Sequence, residues 1–256
     1  MGEAGAGIDQ LYRQILDNAS QRLTKSECRS LDNILGTIVL SKDPLRYADL
    51  QRISQMSDTR TQLILGNLSP IISIYGSAKF LRVCHKSVAD FLLDRERSES
   101  FAIDCATQNA NLAQACLRLM NQELKFNILG LETSGLFNDD IPNRDTRVKS
   151  AISTALVHSS LYWAEYLEGI SGEDLDCSAL RAELRRFLHE HFLHWLEVLS
   201  LMNAVHRAPG LLIAAAKWIG VSAPHHDPTC GSQVLFYTRV LMKISRDSQS
   251  MAADLL

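Results

Sequence analysis

Apolar residues recur along the first part of the chain with a helical period. Ile8, Leu11, Ile15 and Leu16 share one side of a helix predicted over residues 8–23. From Glu27 the pattern sharpens: Cys28, Leu31, Ile34, Leu35, Ile38 and Val39 fall at i, i+3, i+6, i+7, i+10 and i+11. Asp43-Pro44 closes that helix and opens another, because a proline ring suits a first helical turn. Its body extends to about Met56 and buries Leu45, Ala48 and Ile53. Asp58 is placed as the N-cap of a third, short helix carrying Leu63, Ile64 and Leu68, which Ser69-Pro70 ends.

The period then changes. Ile71, Ile72, Ile74 and Tyr75 are β-formers, Gly76-Ser77-Ala78 is a turn, and Phe80 to Cys84 is a second β-rich run, which together predict a hairpin. Ser87, with Asp90 three residues on, is placed as a capping box opening a helix with Val88, Phe91 and Leu92 on its face. Three helices, a hairpin and a closing helix are the order of a winged helix-turn-helix.

After the charged stretch Arg95 to Ser100 the pattern is helical. Asp104 caps a helix with Leu112, Cys116, Leu119, Met120 and Leu124 on its stripe. A loop runs from Asn127 to about Arg144. Ile152, Leu156, Ser159, Trp163, Tyr166 and Leu167 mark the next helix, and Leu180, Leu184, Leu188, His191, Trp195, Val198 and Leu199 a long one. A shorter helix, Leu211 to Ile219, ends at Gly220, and a last one begins near Ser232. No strict repeat supports a regular solenoid. The expected fold is mainly α: an N-terminal helix over 1–23, a winged helix-turn-helix with a small β-hairpin over 24–97, and an irregular α-helical array over 101–256.

Composition narrows the setting more than the job. A chain of 256 residues, 46% hydrophobic, with net charge −3, has too much apolar surface to be disordered. No run approaches the ~18 consecutive apolar residues of a membrane span. The opening Met-Gly-Glu-Ala-Gly-Ala has neither a basic nor an apolar leader segment. The 6 cysteines are scattered without a Cys-x-x-Cys, as suits a reducing compartment. A cytoplasmic protein with no membrane partner is expected.

No catalytic pattern in the sequence is complete. In Leu188-His189-Glu190-His191-Phe192-Leu193-His194 a zinc-protease helix would need His four residues after His189, and Leu193 stands there. His191 and His194 share a face without a third ligand, and core or rim histidines are the expectation. His225, His226, Asp227 and Cys230 form a second loose group in a turn cluster. Gly130 and Gly135 have P-loop spacing, but Leu136 and Phe137 occupy the places of the phosphate-binding Lys and the Mg²⁺-binding hydroxyl. No catalytic residue and no metal site is therefore assigned, and the chain is expected not to be an enzyme. For DNA, the third helix offers Arg60, Gln62 and Asn67 against Asp58, and the hairpin adds Lys79 and Arg82, with Lys86 beyond. A nucleic-acid domain is usually basic and this chain is not, which argues against nucleic acid as a partner. A DNA-binding winged-helix regulator remains the alternative.

Several segments, taken in order, are similar to a known family. These are Leu11-Tyr12-x-x-Ile15-Leu16, then Ile34-Leu35-Gly36-Thr37-Ile38-Val39-Leu40 with Asp43-Pro44-Leu45, and His85-Lys86-Ser87-Val88-Ala89-Asp90-Phe91-Leu92. Further on stand Cys116-Leu117-Arg118-Leu119-Met120, Leu124-Lys125-Phe126-Asn127-Ile128-Leu129-Gly130-Leu131, Tyr162-Trp163-Ala164-x-x-Leu167, and Phe192 to Ser200. Over residues 8–220 this series resembles the segment C-terminal to the NACHT nucleotide-binding domain of fungal STAND proteins, NLR-like signalling ATPases that typically carry WD40 repeats downstream.

The resemblance implies a non-catalytic regulatory and interaction segment, with residues 1–23 as the end of a NACHT-like region. It implies a winged helix docked on a nucleotide-binding domain, and His85 as the contact to the ADP phosphate. Lys86 departs from the family's usual Pro. The expected partners are a NACHT domain and WD40 repeats, in cis in a longer chain or in trans. ADP or ATP is implied only for the NACHT domain, which this sequence does not contain, and no cofactor is expected on this chain alone.

Overall fold

A computed structural model describes residues 3–133, 137–171, 175–222 and Phe236. The chain divides into two compact units, Met1–Leu112 and Ala113–Leu256.

The first unit holds α1 (Glu3–Gln21), α2 (Lys25–Leu40), α3 (Tyr47–Ser54), α4 (Asp58–Asn67), β1 (Ile72–Tyr75), β2 (Phe80–Val83), α5 (Lys86–Leu93) and the one-turn α6 (Arg95–Ser98). β1 and β2 pair antiparallel, Ile72 opposite Val83 and Tyr75 opposite Phe80. Gly76 takes φ +71° in the turn between them, a conformation open to it for want of a Cβ. The winged helix-turn-helix and its small hairpin are therefore present.

Pro44 does different work from the one expected. It opens no helix. Leu45 and Arg46 are extended, Arg46 bridges Phe80, and Leu81 N–H donates to the Leu45 carbonyl at 2.8 Å. This stretch thus meets β2 through a single isolated bridge instead of forming a first helical turn, and α3 begins only at Tyr47. That shift turns Ala48 outward and puts Leu50 in the core beside Leu45 and Ile53.

Ser57, not Asp58, caps α4, its hydroxyl accepting from Arg60 N–H. Asp58 sits one position later and is drawn to the Tyr47 hydroxyl at 2.7 Å and the Gln51 amide at 2.8 Å. Leu63 is exposed, and Leu65 is buried with Ile64 and Leu68. Along α1, Ile8 and Leu11 also face solvent, and Tyr12, Leu16 and Ala19 supply the packed side. Leu16 joins Leu31, Ile34, Leu50, Leu68 and Phe91 in one core, so α1 is packed into the same interior as the winged helix.

α7 (Cys105–Glu123) begins with Asp104 accepting from Ala106 and Thr107 N–H, as expected of its cap. Most of its length belongs to the second unit, with α8 (Arg144–Ala151), α9 (Thr154–Leu167), α10 (Ser178–Arg186), α11 (Phe192–Leu201) and α12 (Ala208–Ser222). α8 has no buried residue, so no apolar stripe announces it. α12 runs past Gly220, and the helix expected near Ser232 lies outside the described residues.

The long helix expected from Leu180 to Leu199 is interrupted. Phe187–His191 forms a π-turn between α10 and α11. The wider turn accommodates burial of both Phe187 and Leu188 before α11 resumes with Phe192 and Trp195 inward. Trp163 of α9 meets Trp195 at 6.2 Å between ring centroids and Phe187 at 5.2 Å, and Phe187 meets Trp195 at 5.7 Å. All three contacts are edge-on, the arrangement that matches ring edge to ring face. The Trp195 indole N–H donates to the Ser160 carbonyl at 3.0 Å, giving the buried ring a polar anchor.

Truncating Trp163 or Trp195 to Ala should cost about 3–5 kcal/mol through the cavity left behind. Urea denaturation measures it, and replacing His191 and His194 together with Gln should cost much less.

Candidate functional site

His85 stands where the hairpin ends and α5 begins. Cys84 N–H donates to the Ile71 carbonyl at 2.8 Å, closing the strand pair, and His85 itself is extended at φ −146°, ψ 146°. The expected capping box of Ser87 and Asp90 does not form. His85 is the N-cap, because its Nδ1 accepts Ser87 N–H at 3.2 Å and lies 2.7 Å from the Ser87 hydroxyl. An imidazole nitrogen that accepts an N–H carries no proton of its own, so the ring proton of the neutral side chain sits on Nε2. His85 and Lys86 are both exposed. The junction therefore presents a ring N–H and an ammonium group at a helix N-terminus, where the backbone favours negative charge.

The junction is braced from behind. The Ser87 hydroxyl lies 2.7 Å from the Tyr12 hydroxyl, and the Tyr12 ring packs 5.5 Å from that of Phe91. α1 is held in turn by a two-bond ion pair between Asp9 and Arg97, at 2.6 and 3.0 Å, and by Arg13 donating to the Arg97 carbonyl at 2.7 Å. The hydrogen bonds from Arg97 hold the Asp9 carboxyl below its usual range.

The remaining candidates are placed less suggestively. His189 is exposed and Leu193 points to solvent. The His191 and His194 rings lie 5.7 Å apart at 62°, and His191 Nε2 is 3.7 Å from Glu190. Burial, aided by His194 and opposed by Glu190, pushes the His191 pKa below its ordinary value. Among the described residues no group of three or more His, Cys, Asp or Glu is placed to hold a metal ion. His225, His226, Asp227 and Cys230 lie outside the described residues.

Near Gly130, Leu131 N–H donates to the Asn127 side chain at 2.8 Å, and Asn127 and Ile128 N–H donate to Glu197. Those amides serve the loop itself rather than a phosphate. On α4, Gln62 donates to Asp58 at 2.7 Å and Asn67 to the Leu63 carbonyl at 3.0 Å. On the hairpin the Arg82 guanidinium lies 4.4 Å from the centre of the Tyr75 ring.

The chain is 24% identical to vegetative incompatibility protein HET-E-1 of Podospora anserina, over an alignment of 221 residues. The match covers 78% of this chain and 16% of that protein, a distant similarity to a short part of a much longer sequence. No protein-family model and no solved structure matches the chain. Among the described residues no helix is long and apolar enough to cross a membrane.

Two measurements check the site's physics. Replacing His85 with Ala removes the cap and should lower stability by about 1 kcal/mol, while Asn, which caps well, should retain most of it; thermal denaturation of the two variants reads the difference. Folding also depresses the His191 pKa, so the unfolded chain takes up that proton first as pH falls. Stability should be full above about pH 6.5 and decline as pH falls through it, until the folded form is protonated too. In His191→Gln that segment of the stability–pH curve should flatten.

Proposed function

We propose that the chain is a non-catalytic regulatory segment of a NACHT-type STAND signalling protein, its winged helix docking on an ADP-bound nucleotide-binding domain. The carrying observation is the His85 cap. With Nδ1 occupied by Ser87 N–H, Nε2–H is free to donate to a phosphate oxygen. Lys86 adds a positive charge beside it, where the resembling family usually has Pro. The distant similarity to an incompatibility protein supports the same reading. In this role the segment holds the nucleotide domain closed through a bond that neither part makes alone. WD40 repeats, in cis or in trans, complete the proposed set of partners, and a cytoplasmic setting suits it.

A DNA-reading winged helix is the rival, and three features weigh against it. α4 opens on Asp58, its Gln62 and Asn67 are engaged within the helix, and Arg82 stacks on Tyr75. A groove-reading helix needs such side chains free to reach base edges.

The test uses the NACHT domain of HET-E-1, produced separately, loaded with fluorescent ADP and mixed with this chain. The chain should slow ADP release by about tenfold, corresponding to ~1.4 kcal/mol of added interaction, and His85→Ala should remove most of that effect. Unchanged release would contradict the reading. So would micromolar ADP binding to this chain alone, or a sequence-preferring DNA shift that survives about 200 mM salt.

A further inference from the structure

β1 pairs with β2 along one side, and among the described residues no strand pairs along the other. The register fixes which backbone groups that other side presents. Cys84 N–H donates to the Ile71 carbonyl, and Leu81 N–H leaves the far side of β2 for the Leu45 carbonyl. Antiparallel ladders alternate bonded and unbonded pairs. Ser73–Arg82 and Tyr75–Phe80 are therefore the bonded pairs, and Ile72–Val83 and Ile74–Leu81 the unbonded ones. The N–H and C=O of Ile74 and the C=O of Ile72 point away from β2. The Ile72 N–H points there too, and the Leu68 carbonyl takes it at 2.8 Å. Three backbone groups thus stand along an open strand edge, a template for another extended chain.

The two faces of that edge differ. Ile72 and Ile74 share one face, and beside them a hollow of about 460 Å³ opens toward α4, whose Leu65 and Gly66 form its other wall. Ile74 is 49% exposed there. Ser73 and Tyr75 share the opposite face, where the Arg82 side chain is drawn across β1. Its guanidinium lies 4.4 Å from the centre of the Tyr75 ring, and its Nε donates to the Ser73 hydroxyl at 3.4 Å. Arg82 is exposed, and a guanidinium stacked on a ring still offers its edge to a carboxylate. Residues 71–86 carry Lys79, Arg82 and Lys86 and neither Asp nor Glu, so the hairpin supplies no partner for that charge.

We propose that the open edge of β1 takes an extended segment of a partner protein as an added antiparallel strand, in which apolar residues alternate with acidic ones. The backbone groups select the strand, and Arg82 selects the acid. An apolar residue opposite Ile74 exchanges both backbone bonds with it and turns its side chain toward the hollow. The next apolar residue stands opposite Ile72 and donates its N–H to the Ile72 carbonyl. The acidic residue between them falls on the other face, beside Arg82. A second copy offering its own β1 would bring Ile-Ser-Ile-Tyr and no carboxylate. The inference uses neither His85 nor a nucleotide, so its failure leaves the ADP reading standing, and the converse holds.

Fluorescence anisotropy of a labelled Thr-Glu-Val-Glu-Val-Glu-Thr peptide, titrated with the full chain, tests both parts. The peptide should bind. The same peptide N-methylated at both Val cannot donate to the Ile72 and Ile74 carbonyls and should bind at least about tenfold more weakly. So should the peptide with Lys in place of each Glu. In the chain, Arg82→Gln should weaken binding and flatten its salt dependence. Ile74→Pro removes the edge donor at a position where an edge strand tolerates proline, and should weaken binding as much as N-methylation does. If that variant does not melt like the parent, the N-methylated peptide, which leaves the protein unaltered, serves alone. Absence of binding by the parent peptide overturns the proposal, as does undiminished binding of the N-methylated peptide or equal binding of the Lys peptide. A concentration-dependent dimer in sedimentation that Ile74→Pro abolishes overturns it in favour of a second copy.

Discussion

Burial of one face of α5 determines what the first unit can present. Val88, Phe91 and Leu92 are sealed in a core built by α1, α2, α3, α4 and the hairpin. Once that face is inside, the residue preceding the helix must turn the chain out of β2 and satisfy one of the free N–H groups in the first turn of α5. His85 does both, and in doing so commits its Nδ1. The exposed Nε2–H is thus a by-product of helix capping, fixed in tautomer by a bond made for structural reasons. The Asp9–Arg97 pair and the Tyr12–Ser87 contact bear on the same point from the α1 side.

The second unit rests on a different constraint. Its mutually edge-on aromatic group of Trp163, Phe187 and Trp195 requires two successive turns of one helix to face the same partner. An uninterrupted α-helix rotates by 100° per residue and would carry part of that surface away. The π-turn over Phe187–His191 absorbs one extra residue and restores the register. The same turn places His191 half inside, which accounts for its depressed pKa, and leaves His189 in water.

How much of this was legible depended on what carried each element. The hairpin, α2, α7 and α9 announce themselves, because each has one apolar face whose burial needs the period seen in the sequence. Trp163 and Trp195 fall on the apolar stripes of two separate helices for the same reason. What escaped were features with no periodic signature. The extended stretch at Leu45 and Arg46 is defined by its bridge to Phe80 and its bond from Leu81, far along the chain. α8 buries nothing, so it has no stripe to detect. The π-turn is invisible because a single inserted residue has no composition of its own to announce it. The capping box at Ser87 was a sound local signal overridden by a histidine, a residue type not usually read as a cap. His85 itself was found through resemblance alone. A capping histidine two residues before a hydroxyl, at a strand-to-helix junction, is the physical signal that would have singled it out.

The central claim is that His85 is held with its proton on Nε2, so that a donor faces outward from the start of α5. Long-range ¹H–¹⁵N correlation NMR of the imidazole, recorded at a pH where the ring is neutral, reads the tautomer directly. The account requires an unprotonated Nδ1 and a protonated Nε2, retained in Lys86→Ala and lost from a single tautomer in Ser87→Pro, which removes the N–H. A proton on Nδ1 would contradict it, because the outward nitrogen would then be an acceptor that a phosphate oxygen repels.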